Sequence, residues 1–316
     1  MRAVTIRDQE ITVEDHPDPQ PGAGEILVRV RAAGINGADM MQRRGMYPAP
    51  TGSPQDIPGL ELAGEVVGRG PGAERFAEGD RVMAIVGGGG QAELATLPER
   101  QAMPVPHGLN WPEAGGTPEV FTTAHDAVFT QAGLRMGERL LVHGGAGGVG
   151  TAAVQLGVAA GARVTATVRR PEAREAVTAL GAHEVLAPDG FEEHGPFDVI
   201  LELVGAPNLG PNLKAVATQG RIVIIGIGAG AKGELSLRDL MTKRATLRAS
   251  TLRARPLEEK AATARAMERH VLPLFAAGAL RVPVAGTFPL ERAAEAYDRF
   301  AEGGKIGRIV LVTDGG

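Results

Sequence analysis

Apolar and polar residues alternate in short stretches over residues 1–115. Clear examples are EILVRVRAAGIN (25–36), LAGEVVGRGPG (62–72) and GDRVMAIVGGGGQAELATLPE (79–99), in which two short strands flank four glycines. A period of two residues is typical of β-strands that bury one face, and the intervening glycine and proline residues form turns. This part of the chain is therefore predicted to be a small β-barrel or β-sandwich.

A different pattern begins near residue 118, where continuous apolar stretches alternate with helical ones. The predicted strands are 138–143, 163–168, 183–187, 197–205, 221–228 and 245–251, and the predicted helices are 148–162, 171–182 and 208–220. Strands that are apolar along their whole length and alternate with helices indicate a parallel sheet covered on both faces. We therefore expect an α/β domain with a six-stranded parallel sheet at 119–252.

The end of the chain contains a long predicted helix at 256–280 and a predicted strand at 304–313. This tail has too little apolar material to fold alone, so its strand is expected to complete the N-terminal β domain. Residues 1–118 and 253–316 would then form one domain, into which 119–252 is inserted.

The composition excludes several classes of protein. The 316 residues include no cysteine, which rules out disulfides, thiolate catalysis and cysteine-ligated zinc. With 33 basic and 37 acidic residues the net charge is −4, which argues against a nucleic-acid partner. No stretch resembles a signal peptide or the roughly 18 apolar residues of a membrane span, so we expect a cytoplasmic protein without a membrane partner.

A glycine-rich stretch follows the first strand of the α/β domain. It fits the pattern G-x-G-x-x-G and consists of Gly145, Ala146, Gly147, Gly148, Val149 and Gly150. The first glycines permit a tight turn, Gly147 lets the backbone approach a pyrophosphate, and Gly150 lets the helix pack on the strand. Because it lies between a strand and a helix, the stretch predicts a Rossmann dinucleotide-binding domain. The alternative is a turn whose glycines only permit packing.

The end of the second strand of this domain bears on the choice of dinucleotide. An acidic residue there would bind a ribose 2′-hydroxyl, but the strand ends in Val168, Arg169 and Arg170. Arginine suits a bidentate contact with a 2′-phosphate, so the cofactor is predicted to be NADPH. Arg174 is a weaker candidate for the same contact, and a solvated strand end is the alternative interpretation.

These motifs together resemble the medium-chain dehydrogenase/reductase superfamily over essentially the whole chain. In its zinc alcohol dehydrogenases a cysteine ends an AAGIC-like turn and a histidine lies in a GHE segment. Here the turn reads AAGIN with Asn36, and the second segment reads PGLE with Leu60. The resemblance therefore implies a GroES-like β-rich catalytic domain with an inserted Rossmann domain and no metal ion.

Four segments narrow the resemblance to the zinc-free quinone oxidoreductases. They are INGADMMQRRGMYP (35–48), GGGGQAEL (87–94), TPEVFTTAHDAV (117–128) and GGAGGVGTAAVQL (144–156). They look most like the tumour-suppressor-inducible quinone oxidoreductase branch, near zeta-crystallin. This implies that NADPH lies at the domain cleft and reduces an ortho-quinone-like acceptor, whose carbonyls are electrophilic without a metal.

The resemblance also implies which residues form the site. Tyr47 and Asn36 are expected to be catalytic, and Tyr47 and Leu60 to contact the substrate. Beyond the glycine-rich stretch, the expected cofactor contacts are Asn36, Thr123, Arg169, Arg170, Gly226, Ile227, Gly228, Leu252 and Lys305. Each has a purely structural alternative, such as packing of Tyr47 against Pro48 or a turn stabilised by Asn36. Asp39 is interpreted mainly as a residue of the helix start, and His143 as a structural residue.

Two other functions remain open at this stage. A reductase of activated C=C bonds in enones, enals or acrylates would use the same fold, and so would a non-enzymatic NADPH-binding structural or regulatory protein. The strand at 245–251 would be an exposed sheet edge, which is a pairing hazard. Members of the resembled family pair this edge across a two-fold axis, so a homodimer is expected.

Overall fold

The computed structural model describes residues 1–313, which divide into two compact units. The first unit contains Met1–Thr122 together with the described residues from Leu252 onward. The second unit is the continuous segment Thr123–Thr251. The chain therefore leaves the first unit once and returns to it once.

The strands of the described residues are, in chain order, β1 (Arg2–Arg7), β2 (Glu10–Asp15), β3 (Glu25–Gly34), β4 (Glu61–Arg69), β5 (Arg81–Ile85), β6 (Leu94–Pro98), β7 (Ala102–Pro104), β8 (Arg139–Val142), β9 (Arg163–Thr167), β10 (Glu184–Leu186), β11 (Phe197–Glu202), β12 (Val216–Ile224), β13 (Thr246–Ala249), β14 (Val284–Pro289) and β15 (Arg308–Val312). The α-helices are α1 (Gly37–Arg43), α2 (Trp111–Gly115), α3 (Pro118–His125), α4 (Gly148–Ala159), α5 (Arg174–Thr178), α6 (Leu209–Ala215), α7 (Leu237–Lys243), α8 (Leu257–His270), α9 (Leu272–Ala276) and α10 (Ala293–Ala301).

The first unit is built on a mixed seven-stranded sheet in the order β14-β15-β3-β4-β5-β7, with β6 also paired to β3. Strands β1 and β2 form a separate antiparallel hairpin. Strand β15 runs antiparallel to β3 and parallel to β14. The tail strand therefore completes the N-terminal sheet, as its pattern predicted.

Alternation along the strands produces the core of the first unit. Ile26, Val28 and Val30 of β3 are at most 1% exposed, and they belong to one apolar cluster with Leu62 and Val66 of β4. These positions are two residues apart, so they share one face of the pleated sheet. Burial of that face is what makes these short strands stable.

The second unit contains a six-stranded sheet in the order β10-β9-β8-β11-β12-β13, in which all neighbours are parallel. Numbered from β8 as the first strand, this is the order 3-2-1-4-5-6 of dinucleotide-binding folds. The predicted α/β class with a six-stranded parallel sheet is confirmed. Ligands of such sheets bind at the edge formed by the carboxyl ends of the strands.

All four helix predictions were too long. The helix predicted at 148–162 ends at Ala159, and the one predicted at 171–182 is α-helical only at Arg174–Thr178. The helix predicted at 208–220 ends at Ala215, because Val216 already pairs with Phe197 as part of β12. β-Branched residues such as Val216 favour strands, and this preference wins here. The helix predicted at 256–280 is interrupted at Val271 between α8 and α9, where Pro273 lies in the first turn of α9. Proline is tolerated in a first turn but not in a helix interior.

Candidate functional site

The glycine-rich loop of the second unit joins β8 to α4. Gly144 has a φ of +65°, a value that L side chains rarely adopt. The turn is closed by hydrogen bonds from Gly145 N to Thr167 O (2.9 Å) and from Gly147 N to Gly144 O (3.0 Å). Gly147 is then the N-cap of α4 and accepts from Thr151 N at 2.8 Å. The helix thus starts directly from the turn, without an intervening linker.

Two glycines of the loop are required by close contacts. A Cβ atom on Gly150 would lie 2.3 Å from Gly144 O and 2.8 Å from Gly145 Cα. A Cβ atom on Gly145 would lie 2.8 Å from Ala166 Cβ in β9. The roles predicted for the first and last glycines therefore have a direct steric cause.

The start of α4 has the properties of an anion site. The N–H groups of Gly148, Val149 and Gly150 lie in its first turn, where no acceptor exists within the helix. The helix dipole adds partial positive charge at the same end. Gly147 is exposed, and Ala146 and Gly148 are partly exposed, so a ligand can reach the backbone. These residues fit the pyrophosphate of a dinucleotide.

A buried polar network lies beneath this loop. His143 Nδ1 is 3.0 Å from Thr167 Oγ1, and His143 Nε2 is 2.8 Å from Asn212 Oδ1. Thr167 Oγ1 in turn accepts from Gly144 N at 3.4 Å. Burial lowers the pKa of His143, which favours the neutral imidazole. His143 is therefore a structural residue that fixes the base of the loop, as the sequence suggested.

The sequence did not predict the role of Glu202, the last residue of β11. Its side chain is 2% exposed and accepts from Val204 N (2.6 Å), Gly205 N (2.8 Å) and Asn212 Nδ2 (2.7 Å). Asn212 thus connects this carboxylate to His143. The available signal was an acidic residue at the end of an otherwise apolar strand, in the stretch VILE.

Three arginines follow the second strand of this sheet. Arg169 and Arg170 come directly after β9 and are exposed. Arg174 is partly buried at the start of α5, and its Nε atom is buried without a hydrogen-bond partner. A buried unpaired donor is costly and is satisfied when an acceptor binds. The segment can therefore accept an anion.

The segment Gly226, Ile227 and Gly228 follows β12 at the same edge of the sheet. Gly226 N donates to Glu202 O at 3.1 Å, and a Cβ on Gly226 would lie 2.2 Å from Leu203 O. Ile227 is 44% exposed. Because parallel strands end at one edge, this segment and the glycine-rich loop share that edge, where a dinucleotide binds in such folds.

In the first unit, Asn36 is 6% exposed, and its side chain is bonded to a buried carboxylate. Asn36 Nδ2 donates to Glu61 Oε1 at 2.9 Å. The same oxygen accepts from Arg308, and the other oxygen, Oε2, accepts from Glu119 N at 2.8 Å. Glu61 is 0% exposed and Arg308 is 4% exposed, so this is a buried ion pair, in which Arg308 Nε alone lacks a hydrogen-bond partner.

Leu60 and Asp39 lie next to the buried group formed by Asn36, Glu61 and Arg308. Leu60 is 2% exposed, which places the predicted substrate contact within the packed interior. Asp39 is fully buried and accepts from Asn36 N at 2.8 Å and from Gly59 N at 3.1 Å. Burial raises the pKa of Asp39 to about 7. Asp39 therefore joins the start of α1 to the segment that carries Leu60 and Glu61.

Tyr47 is half-buried in the segment after α1, and Arg253 contacts it twice. Arg253 Nη1 donates to Tyr47 O at 2.9 Å, and the guanidinium carbon lies 5.1 Å from the centre of the Tyr47 ring. Burial raises the pKa of Tyr47, so its hydroxyl is protonated at neutral pH. The hydroxyl is thus able to donate a hydrogen bond.

The remaining predicted contacts lie in separate places. Thr123 is 7% exposed in α3, and Leu252 is 9% exposed and precedes Arg253. Lys305 Nζ lies 3.5 Å from the centre of the Phe300 ring. Burial and the nearby Arg308 lower the pKa of Lys305 to about 8. The structure thus brings together the contacts at the sheet edge of the second unit and, in the first unit, Asn36 with Glu61 next to Leu60.

Among residues 1–313, no group of three His, Asp or Glu side chains could hold a metal ion. No helix in the same range is both long and apolar enough to span a membrane.

Known proteins are similar to this chain over nearly its whole length. The family model described as alcohol dehydrogenase GroES-like domain matches residues 22–107, and the one described as zinc-binding dehydrogenase matches residues 148–269. The quinone oxidoreductase of Rattus norvegicus is 30% identical over 306 residues, 93% of this chain and 91% of that protein. The one of Lama guanicoe is 31% identical, with 93% and 90% covered. A crystal structure described as an NAD-dependent alcohol dehydrogenase has a TM-score of 0.87 at 29% identity, with 99% of both chains covered.

The fold and the dinucleotide loop define a medium-chain dehydrogenase/reductase, an oxidoreductase class that uses a nicotinamide cofactor. Within that class, the chain belongs to the quinone oxidoreductase family.

Proposed function

We propose that this protein reduces quinones with NADPH and without a metal ion. The observation that carries the proposal is the chemistry at the two positions where zinc-dependent members have metal ligands. The Asn36 amide is bonded to Glu61, and Leu60 is an apolar side chain that is 2% exposed. Neither side chain offers a ligand for zinc, which prefers thiolate, imidazole and carboxylate groups. An acceptor that is electrophilic without a Lewis acid fits such a site.

Tyr47 supplies the hydrogen-bond donor for this reaction. Its hydroxyl is protonated because burial raises its pKa, and its ring is partly exposed. We propose that it donates to a quinone oxygen, which gains negative charge during reduction. When bound, the nicotinamide supplies the reducing equivalents. The fixed position of the phenol lowers the entropy lost in bringing donor and acceptor together.

The preference for NADPH is proposed on the arginines after β9. Arg169 and Arg170 are exposed, and Arg174 Nε lacks a partner, so all three are available to a 2′-phosphate. The structural relative described above is named as NAD-dependent, so the preference needs its own test. Replacing Arg169 with Asp and Arg170 with Ser should shift the ratio of kcat/KM values from NADPH toward NADH. Arg238→Ser, at an exposed position in α7, is the matched control, and an unchanged ratio in the double variant would refute the assignment.

The reaction is tested by following NADPH oxidation with 9,10-phenanthrenequinone and, in parallel, with an enone. We expect turnover of the quinone, and Tyr47→Phe should lower kcat with it, because the hydrogen bond is gained mainly as charge develops. Turnover of the enone alone would favour a C=C reductase. Oxidation with neither acceptor, while NADPH still binds, would favour a non-enzymatic nucleotide-binding protein.

We also propose a cytoplasmic homodimer that forms through the edge of the second unit. Strand β13 ends the sheet, and its residues Thr246, Arg248 and Ala249 are exposed. Leu237 and Met241, one turn apart on α7, are 67% and 76% exposed. An unpaired strand edge and exposed apolar side chains are both surfaces that proteins cover by pairing. Sedimentation should give a dimer for the native protein and a monomer for Leu237→Glu/Met241→Glu, and a native monomer would refute the proposal.

A further inference from the structure

Arg253 is a buried arginine that joins three separate segments of the first unit. Its side chain is among the most buried of the polar groups, since the residue is 3% exposed. Nε donates to Gly87 O at 2.8 Å, Nη1 to Tyr47 O at 2.9 Å and Nη2 to Gln42 Oε1 at 2.5 Å. All three acceptors are uncharged oxygens. The guanidinium is thus held by three hydrogen bonds, and each of its nitrogens bonds to a different segment.

The segment that carries Tyr47 depends on such contacts. Residues 44–60, between α1 and β4, contain neither helix nor strand. No strand ladder fixes this segment. Its end is held through the backbone, for example by the bond from Ile6 N to Asp56 O at 2.8 Å, whereas Tyr47 itself is held by the side chain of Arg253. Gln42 Nε2 donates to Gln55 O at 3.2 Å, so the Arg253–Gln42 contact continues to the far part of the same segment.

Arg253 acts on Tyr47 from two directions. It holds the Tyr47 carbonyl through Nη1, and its guanidinium lies against the aromatic ring at 5.1 Å. The hydrogen bond fixes the backbone position of Tyr47, and the contact with the ring fixes the orientation of its side chain. A lysine could not do this, because one ammonium group cannot reach three acceptors and offers no planar face.

We infer that Arg253 is the residue that positions Tyr47, so that its hydroxyl is presented to the substrate in a single orientation. The effect on quinone turnover rests on the proposed function, whereas the placement of Tyr47 by Arg253 does not. Arg253 is a positioning residue, because it acts through Tyr47 and not on the substrate.

A double-mutant cycle tests the kinetic consequence. Arg253→Lys should lower kcat with 9,10-phenanthrenequinone at least about tenfold and change the KM for NADPH less than about twofold, because a small displacement of a catalytic group has a large effect on rate. In a Tyr47→Phe background the same substitution should lower kcat less than about threefold, since the group it positions is already gone. An equal loss in both backgrounds, or no loss in the native background, would overturn the inference.

A second measurement does not depend on any activity. The chain has only two tyrosines, so tyrosine labelled with ¹³C at Cζ gives two NMR signals, assigned with Tyr47→Phe. Arg253→Lys should shift or broaden the Tyr47 signal and leave the signal of Tyr297 in place. An unchanged Tyr47 signal would overturn the inference even if quinone turnover is found. A shifted signal without quinone turnover would keep the inference and refute the proposed function.

Two further variants separate positioning from general loss of structure. Arg81 makes the same two kinds of contact at an exposed position of the first unit, because it donates to Leu109 O at 3.0 Å and lies 4.1 Å from the centre of the Trp111 ring. Arg81→Lys should therefore leave kcat and the Tyr47 signal unchanged. If Arg253→Lys does not fold, Gln42→Met removes one of the three acceptors and should shift the Tyr47 signal in the same sense. An effect of Arg81→Lys as large as that of the site variants would overturn the assignment.

Discussion

The side-chain amide of Asn36 donates a 2.9 Å hydrogen bond to Glu61 in the interior of the first unit. Glu61 is also paired with Arg308, so an amide and a guanidinium share one carboxylate oxygen. In a low-dielectric interior, a charge needs each of these partners. Asn36 is thus part of a buried hydrogen-bond group.

Loss of the Glu61 charge should be strongly destabilising. Glu61→Gln leaves Arg308 buried without its counter-ion, and we expect the free energy of unfolding to fall by about 3 kcal/mol or more. Urea unfolding followed by circular dichroism measures it. Glu258→Gln is the control, because it breaks the exposed pair with Arg100 and should leave stability nearly unchanged. Equal effects of both variants would contradict the buried pair's importance.

The glycine-rich loop should not tolerate a methyl group at Gly150. Gly150→Ala places Cβ 2.3 Å from Gly144 O, so the turn must open, and NADPH binding should fall at least about tenfold. Titration of NADPH fluorescence measures the affinity. Gly210→Ala in α6 meets no atom within 4 Å and should retain affinity while adding up to about 1 kcal/mol of stability. Native affinity in Gly150→Ala would show that the close contact is not needed.

The buried carboxyl of Asp39 should make stability depend on pH. Burial raises its pKa from 3.8 to about 7, so the folded state holds a proton that the unfolded state releases. Stability from this group is complete below pH 3.8 and is lost as the pH rises to about 7, above which both states are ionised and no more is lost. Relative to Asp39→Asn, the native protein should lose stability between about pH 4 and 7, at most about 1.4 kcal/mol per pH unit. A constant difference between the two proteins in urea unfolding would exclude this titration.

The network beneath the loop should affect stability and nucleotide binding together. Asn212→Ala removes a partner from both His143 and Glu202, which should lower the free energy of unfolding by about 1–3 kcal/mol. NADPH affinity should fall as well, because Thr167 connects His143 to Gly144 N. Asn208→Ala, which removes only a 3.3 Å bond to Glu202, should have the smaller effect on both quantities. A stable Asn212→Ala protein with weak NADPH binding would separate the two roles.

Local patterns in the sequence predict those features of the fold that depend on residues close together in the chain. The six parallel strands, the glycine turn before α4 and the return of the tail strand to the first sheet all follow from periodicity and turn residues. The contacts of Arg253 do not, because its partners Gln42, Tyr47 and Gly87 are far from it in sequence. Pairing of Asn212 with His143 has the same origin. Such contacts depend on how helices, strands and loops that are distant in sequence pack together, and a local sequence pattern does not predict this.

The start of β12 shows that element boundaries are also hard to predict from the sequence. The stretch 208–220 has helical spacing, yet Val216 pairs with Phe197 in the sheet. The helical spacing of the neighbouring residues predicts a helix at Val216, although valine itself favours strands. In the structure, pairing with the parallel strand places Val216 in β12.

Strand β3 has two partners along one of its sides. Glu25–Arg29 pair with β6, whereas Ala32–Gly34 pair with β15. On the ribosome, the first partner is made soon after β3, but the second emerges only after the whole second unit. Three of the ten residues of β3 therefore stay unpaired on this side during synthesis, although the intervening unit is continuous and can fold first. The strand edge at Ala32–Gly34 is thus the last part of β3 to gain its partner.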